Sequence, residues 1–313
     1  MSAYLVTGGA GFIGSNLVDE LLRRGESVRV LDNLSTGRLE NLAAALDRID
    51  LCEADICNLE QIRPCFTAVD FVLHLAALPS VPRSVADPMS ANRANIEGTL
   101  NVLLASRDAG VKRVVFAASS AAYGDNPILP RIESHEPRPM SPYALTKLAG
   151  EYYCQIFTRL YGLGAVALRY FNIFGPRQNP HSPYTGVLSK FITAYIQGTT
   201  PTIFGDGEQS RDFTYIDNVV DATLRACTAP DAPGRVLNVG VGGRFTLNQT
   251  ITLLNQIFGK QLKPQYDPPR AGDVLHSQAD ISLARQVLGY EPKVPYEQGL
   301  RKTVEWYRNS FGF

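Results

Sequence analysis

The chain has 313 residues, with 30 Lys+Arg against 30 Asp+Glu and a formal net charge of zero. A neutral surface offers nucleic acid or an anionic membrane no bulk attraction, so neither is expected as a partner. With 45% hydrophobic and 19% charged residues the composition is globular rather than disordered.

The N-terminus, Met1-Ser2-Ala3-Tyr4-Leu5-Val6, runs directly into an apolar strand without a positive leader, and no apolar run approaches the roughly 18 residues of a bilayer span. Cys52, Cys57, Cys65, Cys154 and Cys227 are odd in number, scattered and free of any Cys-x-x-Cys pair. They predict reduced thiols and a cytoplasmic protein. The histidines are scattered too, so no metal site is expected. His74, inside the apolar stretch Phe71-Val72-Leu73-His74-Leu75, reads as a packed strand-end histidine rather than a catalytic one.

Strand-like runs over 3–6, 27–31, 50–52, 71–75, 113–117 and 164–169 alternate with helical patterns over 13–23, 90–109 and 142–161. Continuous apolar strands separated by helices predict an α/β fold with a Rossmann-type, doubly wound parallel sheet. After Tyr170 the pattern changes: Pro176, Pro180 and Pro183 mark a long loop, and the later elements are shorter. The expected division is a first domain over 1–170 and a smaller α/β lobe over 171–313, partly interleaved.

Thr7-Gly8-Gly9-Ala10-Gly11-Phe12-Ile13-Gly14 follows the first strand and opens the first helix. Gly8 permits a tight turn, Gly11 lets backbone N–H groups approach a pyrophosphate, and Gly14 permits close helix packing. The second strand ends in Asp32, eighteen residues beyond Gly14. A carboxylate there accepts hydrogen bonds from ribose hydroxyls and repels a 2′-phosphate, so NAD is expected over NADP. Asp55 and Ile56 follow the third strand, where a side chain meets the adenine edge; Asp55 is equally suited to starting a helix. Ala76 and Ala77 follow the fourth strand and leave room for the cofactor.

Tyr143 and Lys147 stand four residues apart at the start of a helix and share one face. A phenol with a pKa near 10 is a poor base at neutral pH, but a nearby ammonium and a nicotinium charge favour the phenolate. Together with the glycine turn, these marks make the chain resemble an extended short-chain dehydrogenase/reductase. It is most similar to a nucleotide-sugar epimerase of the UDP-hexose 4-epimerase type. Further marks of the resemblance are Leu168-Arg169-Tyr170-Phe171-Asn172-Ile173-Phe174-Gly175-Pro176, Gly207-Glu208-Gln209-Ser210-Arg211-Asp212-Phe213, Arg270-Ala271-Gly272-Asp273 and Ala279-Asp280.

The resemblance implies that Asn33, Leu75, Asn95 and Tyr170 join the NAD contacts. It makes Ser119 the hydroxyl beside the reacting sugar oxygen, with Ser120 a close second. Tyr143 then takes the proton from the sugar O4, NAD accepts the C4 hydride, and the 4-keto sugar turns before the hydride returns. Lys147 binds the nicotinamide ribose. Where related dehydratases carry an Asp-Glu pair and related decarboxylases a glutamate, this chain has Ser120 and Ala121, which opposes elimination. A net reductase is opposed by Asp32, and an NAD-sensing binding module by the intact Ser119, Tyr143 and Lys147.

For the substrate, the resemblance places Arg211 and Arg270 on the diphosphate, with Asn172, Val187 and Leu188 near it. Phe204 falls by the uracil and Asp273 by a ribose hydroxyl. Ser277 occupies the position where a tyrosine restricts the pocket to plain hexoses; a serine leaves volume for an acetamido group. UDP-GlcNAc/UDP-GalNAc is therefore the expected pair, with UDP-Glc/UDP-Gal possible in addition. Arg83 and Ser84 provide an alternative in which a C6 carboxylate is met and UDP-glucuronate is the substrate. Helices over 90–109 and 142–161 pair across a two-fold in this family, which implies a homodimer.

Overall fold

The computed structural model describes residues 1–179, 186–269 and 274–311. Strands β1 (Ala3–Thr7), β2 (Ser27–Asp32), β3 (Asp50–Glu53), β4 (Phe71–His74), β5 (Arg113–Ser119), β6 (Ala165–Tyr170) and β7 (Val236–Val239) form one sheet in the order β7-β6-β5-β4-β1-β2-β3. Every neighbouring pair is parallel. Side chains alternate across it as the pleat requires. Leu5, Val72 and Phe116 enter one core with Val102 and Phe157, whereas Val6, Leu73 and Val115 enter the other with Leu17 and Val219. Burial on both faces explains why these strands read as unbroken apolar runs.

The helices include α1 (Phe12–Arg23), α2 (Val81–Ala86), α3 (Gly98–Asp108), α4 (Pro142–Tyr161), α5 (Val187–Gln197), α6 (Ile216–Thr228), α7 (Leu247–Phe258) and α8 (Tyr296–Phe311). The predicted strand and helix runs lie close to the observed elements, but β7 has no counterpart among them. Its Val-Leu-Asn-Val run is short, and it becomes a strand by pairing with β6, Val236 opposite Ala167. Residues after 171 thus return to the main sheet. The rest of the chain adds short paired strands, including Thr202–Phe204 with Gln265–Asp267 and Ser210–Arg211 with Phe245–Thr246. The order of strands reverses between β1 and β4, which opens a crevice at their carboxyl ends.

His74 closes β4 beside this crevice and is 1% exposed. Thr99 spends its hydroxyl proton on the Asn95 carbonyl (2.6 Å), so it accepts from His74 Nε2 (3.0 Å), while Nδ1 pairs with Thr7 Oγ1 (2.7 Å). The imidazole is a neutral bolt between β1, β4 and α3. Burial, reinforced by the Lys147 charge, pushes its pKa down to about 3. Between the ordinary value of 6.5 and about 3 the unfolded chain binds a proton that the folded chain refuses. Stability is therefore lost as pH falls through this window, at about 1.4 kcal/mol per unit. Between pH 7 and pH 5 the folded state should lose about 2 kcal/mol more than a His74→Asn variant does. Urea unfolding at both pH values measures this, and equal losses would refute it.

Candidate active site

The tip of β1 is shaped by glycines whose missing Cβ atoms are required. Gly8 has φ +70°, and a Cβ there would lie 2.7 Å from the Ala76 nitrogen. A Cβ on Gly14 would lie 2.2 Å from the Gly8 carbonyl oxygen. Gly14 therefore allows α1 to approach the glycine loop itself. Gly11 is the N-cap of α1, and no acidic side chain occupies the first turn, so the helix's N–H groups and partial positive charge face the crevice.

Gly8, Gly11, Phe12, Ile13, Gly14, Asp32, Asn33, Asp55, Ile56, Leu75, Ala76 and Ala77 all line one cleft of about 470 Å³. Asp32 is held by the Ala10 and Leu34 amides, each at 2.9 Å from its carboxylate. Asn33 donates to Asp55 (3.2 Å). Burial pushes the Asp55 carboxyl up, but hydrogen bonds from Cys57 and Asn33 outweigh it, and the net shift is downward. The cleft is lined by the Gly11 N-cap of α1, a terminus suited to a pyrophosphate, and by the Asp32 carboxylate, a combination that fits NAD.

Asn95, expected among the NAD contacts, is 1% exposed. It is absent from the cleft wall, and its amide is committed to Leu78 N (2.8 Å), Leu78 O (3.3 Å) and Thr146 Oγ1 (3.0 Å). Its geometry fixes the loop after β4. Arg83 lines the dinucleotide cleft rather than the catalytic cavity.

Phe12, Ile13, Leu75, Ala77 and Pro79 connect this cleft to a second cavity of about 630 Å³. Ser119, Ser120, Tyr143, Lys147, Tyr170, Asn172, Arg211 and Ser277 converge on its wall. Ser119 ends β5 and accepts from Ala121 N (3.2 Å), which leaves its own O–H to be donated. Burial raises the Tyr143 phenol above its ordinary value, and the interaction with Ser119 opposes that shift. Lys147 is 4% exposed and donates to the Ala117 carbonyl (2.8 Å). Burial lowers its pKa to about 8, so it remains the cation at neutral pH. Ser119 is thus one neighbour that favours the phenolate.

The start of α4 shows why Tyr143 is fixed. Pro142 has no N–H to satisfy, Ala144 N donates to Ser141 Oγ (3.1 Å) and Leu145 N to Ser141 O (3.0 Å). The remaining first-turn donor, Tyr143 N, goes to Ser84 Oγ (3.0 Å), which itself donates to Val81 O (2.7 Å). Ser84 is 1% exposed and absent from the cavity wall, so its hydroxyl is spent on α2 and α4 instead of facing a substrate.

Arg211 donates to Ser210 O and Leu275 O, both at 3.0 Å, and borders the catalytic cavity as well as a neighbouring one of about 550 Å³ that contains Phe204 and Asp267. Leu188 is buried in the core, and neither it nor Val187 lines any of these cavities. Arg270 and Asp273 lie outside the described residues. Cavity residues not among those expected from the sequence include Tyr123, Gln178, Arg131, between motifs in Ile128-Leu129-Pro130-Arg131, and His276, whose Nδ1 pairs with Ser210 Oγ (2.8 Å). Arg131 stands in no pattern that signals a site, whereas His276 directly precedes Ser277. Among the described residues no helix is long and apolar enough to cross a membrane.

Residues 4–240 match the model of the NAD dependent epimerase/dehydratase family. The chain is 41% identical to UDP-glucose 4-epimerase of Mycolicibacterium smegmatis, covering 97% of this chain and 98% of the relative. A UDP-N-acetylglucosamine 4-epimerase from Methanobrevibacter ruminantium, solved with UDP-N-acetylmuramic acid, superposes with TM-score 0.94 at 40% identity over 98% of each chain. Thermus thermophilus UDP-glucose 4-epimerase, solved with NAD, gives TM-score 0.88 at 37% identity over 98% of this chain and 99% of that one. By its sequence, sheet and cofactor cleft the chain belongs to the NAD dependent epimerase/dehydratase family of extended short-chain dehydrogenases/reductases, within its UDP-hexose 4-epimerase type.

Proposed function

We propose that this NAD-dependent UDP-sugar 4-epimerase interconverts UDP-GlcNAc and UDP-GalNAc, with UDP-Glc and UDP-Gal as further substrates. The observation that carries the reading is Ser277, a small side chain in the wall of the cavity that holds Ser119 and Tyr143. When bound, NAD+ accepts the sugar's C4 hydride and returns it, and its positive nicotinamide favours the Tyr143 phenolate. Tyr143 takes the O4 proton and gives it back, and Ser119 donates its hydroxyl between phenol and sugar oxygen. Lys147, anchored on Ala117, holds the nicotinamide ribose. Arg211 grips the diphosphate where the two cavities meet, and Phe204 faces the uracil.

A homodimer is part of the proposal. Leu145, Tyr152, Ile156 and Leu160 follow helical spacing along α4 and are 54%, 52%, 44% and 62% exposed, an apolar stripe suited to a second copy. The unbridged cysteines support a cytoplasmic location.

The test is incubation of the purified holoenzyme with each UDP-sugar and no added reductant. Each N-acetylhexosamine should convert to its C4 epimer at constant mass and faster than the plain hexoses. Loss of the mass of water would mean dehydration, and conversion of plain hexoses alone would overturn the N-acetyl reading.

A further inference from the structure

Glu151 and Arg169 form an ion pair that the steps described above leave unused. They are 2% and 3% exposed and meet as a two-point fork: Arg169 Nε donates to Glu151 Oε1 (2.9 Å) and Nη2 to Oε2 (2.7 Å). Glu151 stands on the stripe of α4 that carries Tyr143 and Lys147, each four residues from the next. Lys147 pins that stripe to β5 through Ala117 O, and Glu151 pins it to β6 through Arg169. Arg169 also faces an aromatic ring: its guanidinium carbon is 4.5 Å from the centroid of Tyr123, a cation–π contact.

Tyr123 is 1% exposed, borders the catalytic cavity and closes the turn over 120–123 that Ser119 caps. Its hydroxyl donates to Asn238 Oδ1 (2.7 Å) in β7. Pairing with Tyr170 fixes the Ser119 main chain, whereas its hydroxyl oxygen takes Ala121 N from the turn (3.2 Å), so the placement of the turn sets where the hydroxyl lies. The two halves of the catalytic set thus arrive on different elements, Ser119 at the end of β5 and Tyr143 at the start of α4. Glu151, Arg169 and Tyr123 make a continuous chain between them. A buried ion pair is a poor source of stability, because desolvation offsets much of the attraction and an apolar pair of similar size packs as well. What a fork supplies is a fixed geometry.

We propose that Glu151, Arg169 and Tyr123 are positioning residues for the epimerisation, which together set the Ser119 hydroxyl at the Tyr143 phenol. None of them exchanges a proton or a hydride, so the covalent steps are unchanged. The proposal rests on Tyr143 as the base and Ser119 as its partner, and on no particular sugar.

Two variants cut the chain at different links. Glu151→Leu/Arg169→Met removes both charges together, and Tyr123→Leu removes the ring but keeps the ion pair. Each is made alone and combined with Ser119→Ala, and assayed on whichever of UDP-glucose and UDP-GlcNAc the wild-type holoenzyme turns over faster. In both, kcat should fall about 10-fold or more while bound NAD stays stoichiometric. The limb of the kcat–pH profile that reports the base should move upward, because Ser119 favours the phenolate. The other charged groups nearby, Lys147 and the Glu133 carboxylate that accepts from Asn238 N (2.7 Å) beside Tyr123, stay in place in every variant. Added to Ser119→Ala, either variant should cost less than about twofold more, since the contact it disturbs is already gone. A merely structural role multiplies the losses and leaves the limb unmoved, and that result would overturn the proposal. So would wild-type kcat in the Glu151→Leu/Arg169→Met enzyme. Should one variant fail to retain NAD on purification, the other decides. Failure of the underlying reading shows separately, as a Ser119→Ala enzyme with full kcat.

Discussion

Tyr143→Phe should retain NAD and the fold yet lose between about 10²- and 10⁴-fold in kcat, the range for removing a positioned general base. The retained properties follow from local geometry. The backbone bond from Tyr143 N to Ser84 and the Lys147 bond to Ala117 do not use the phenol oxygen. The ring keeps its packing, and only the atom that carries the proton disappears. Single-turnover absorbance of bound NADH distinguishes causes, because a mutant unable to deprotonate O4 should not accumulate the reduced cofactor. Normal turnover with stoichiometric NAD would sink the assignment. A phenol raised by burial also predicts that the residual Ser119→Ala activity shifts its pH optimum upward, since Ser119 is one neighbour that favours the phenolate.

Ser277→Tyr should reduce kcat/KM for UDP-GlcNAc relative to UDP-glucose by about 100-fold. Ser277 N is fixed by Ser210 O at 3.0 Å, so the backbone cannot easily retreat from the larger side chain. A tyrosine at this point fills space in the same cavity that holds Ser119 and Tyr143, where overpacking is relieved most cheaply by excluding the substrate that carries an acetamido group. Steady-state kinetics on both sugars read the ratio directly. An unchanged ratio would mean that chamber size is set elsewhere, and the proposed substrate would lose its support.

Much of the cofactor cleft was legible because its chemistry is local in sequence. A strand, a glycine turn, a helix terminus and Asp32 lie within one βαβ unit, and spacing alone brings them together. The Tyr143/Lys147 pair is legible for the same reason, as neighbours on one helical face. Residues whose positions depend on distant backbone were harder. Ser84 looks like a substrate hydroxyl until α4 arrives to donate Tyr143 N to it. The bonds that Asn95 makes to Leu78 and Thr146 join segments far apart in the chain and carry no sequence signal. Arg83, one alternative partner for a sugar carboxylate on sequence grounds, lines the other cleft. Arg131 carried no signal, because its burial comes from pairing with residues almost 150 positions later. β7 was missed likewise: its partner lies far upstream in β6.

The boundary at Arg211 has a consequence for how such an enzyme diversifies. Among the described residues, the catalytic chamber and the Phe204 chamber share only Arg211 and Val274. With Phe204 at the uracil and Arg211 on the diphosphate, as proposed, so small an overlap separates recognition of the handle from recognition of the cargo. On the proposed reading, substitutions at Ser277 retune which sugar is turned without renegotiating the hold on the nucleotide, and a lineage can therefore explore new sugars while never letting go of the carrier.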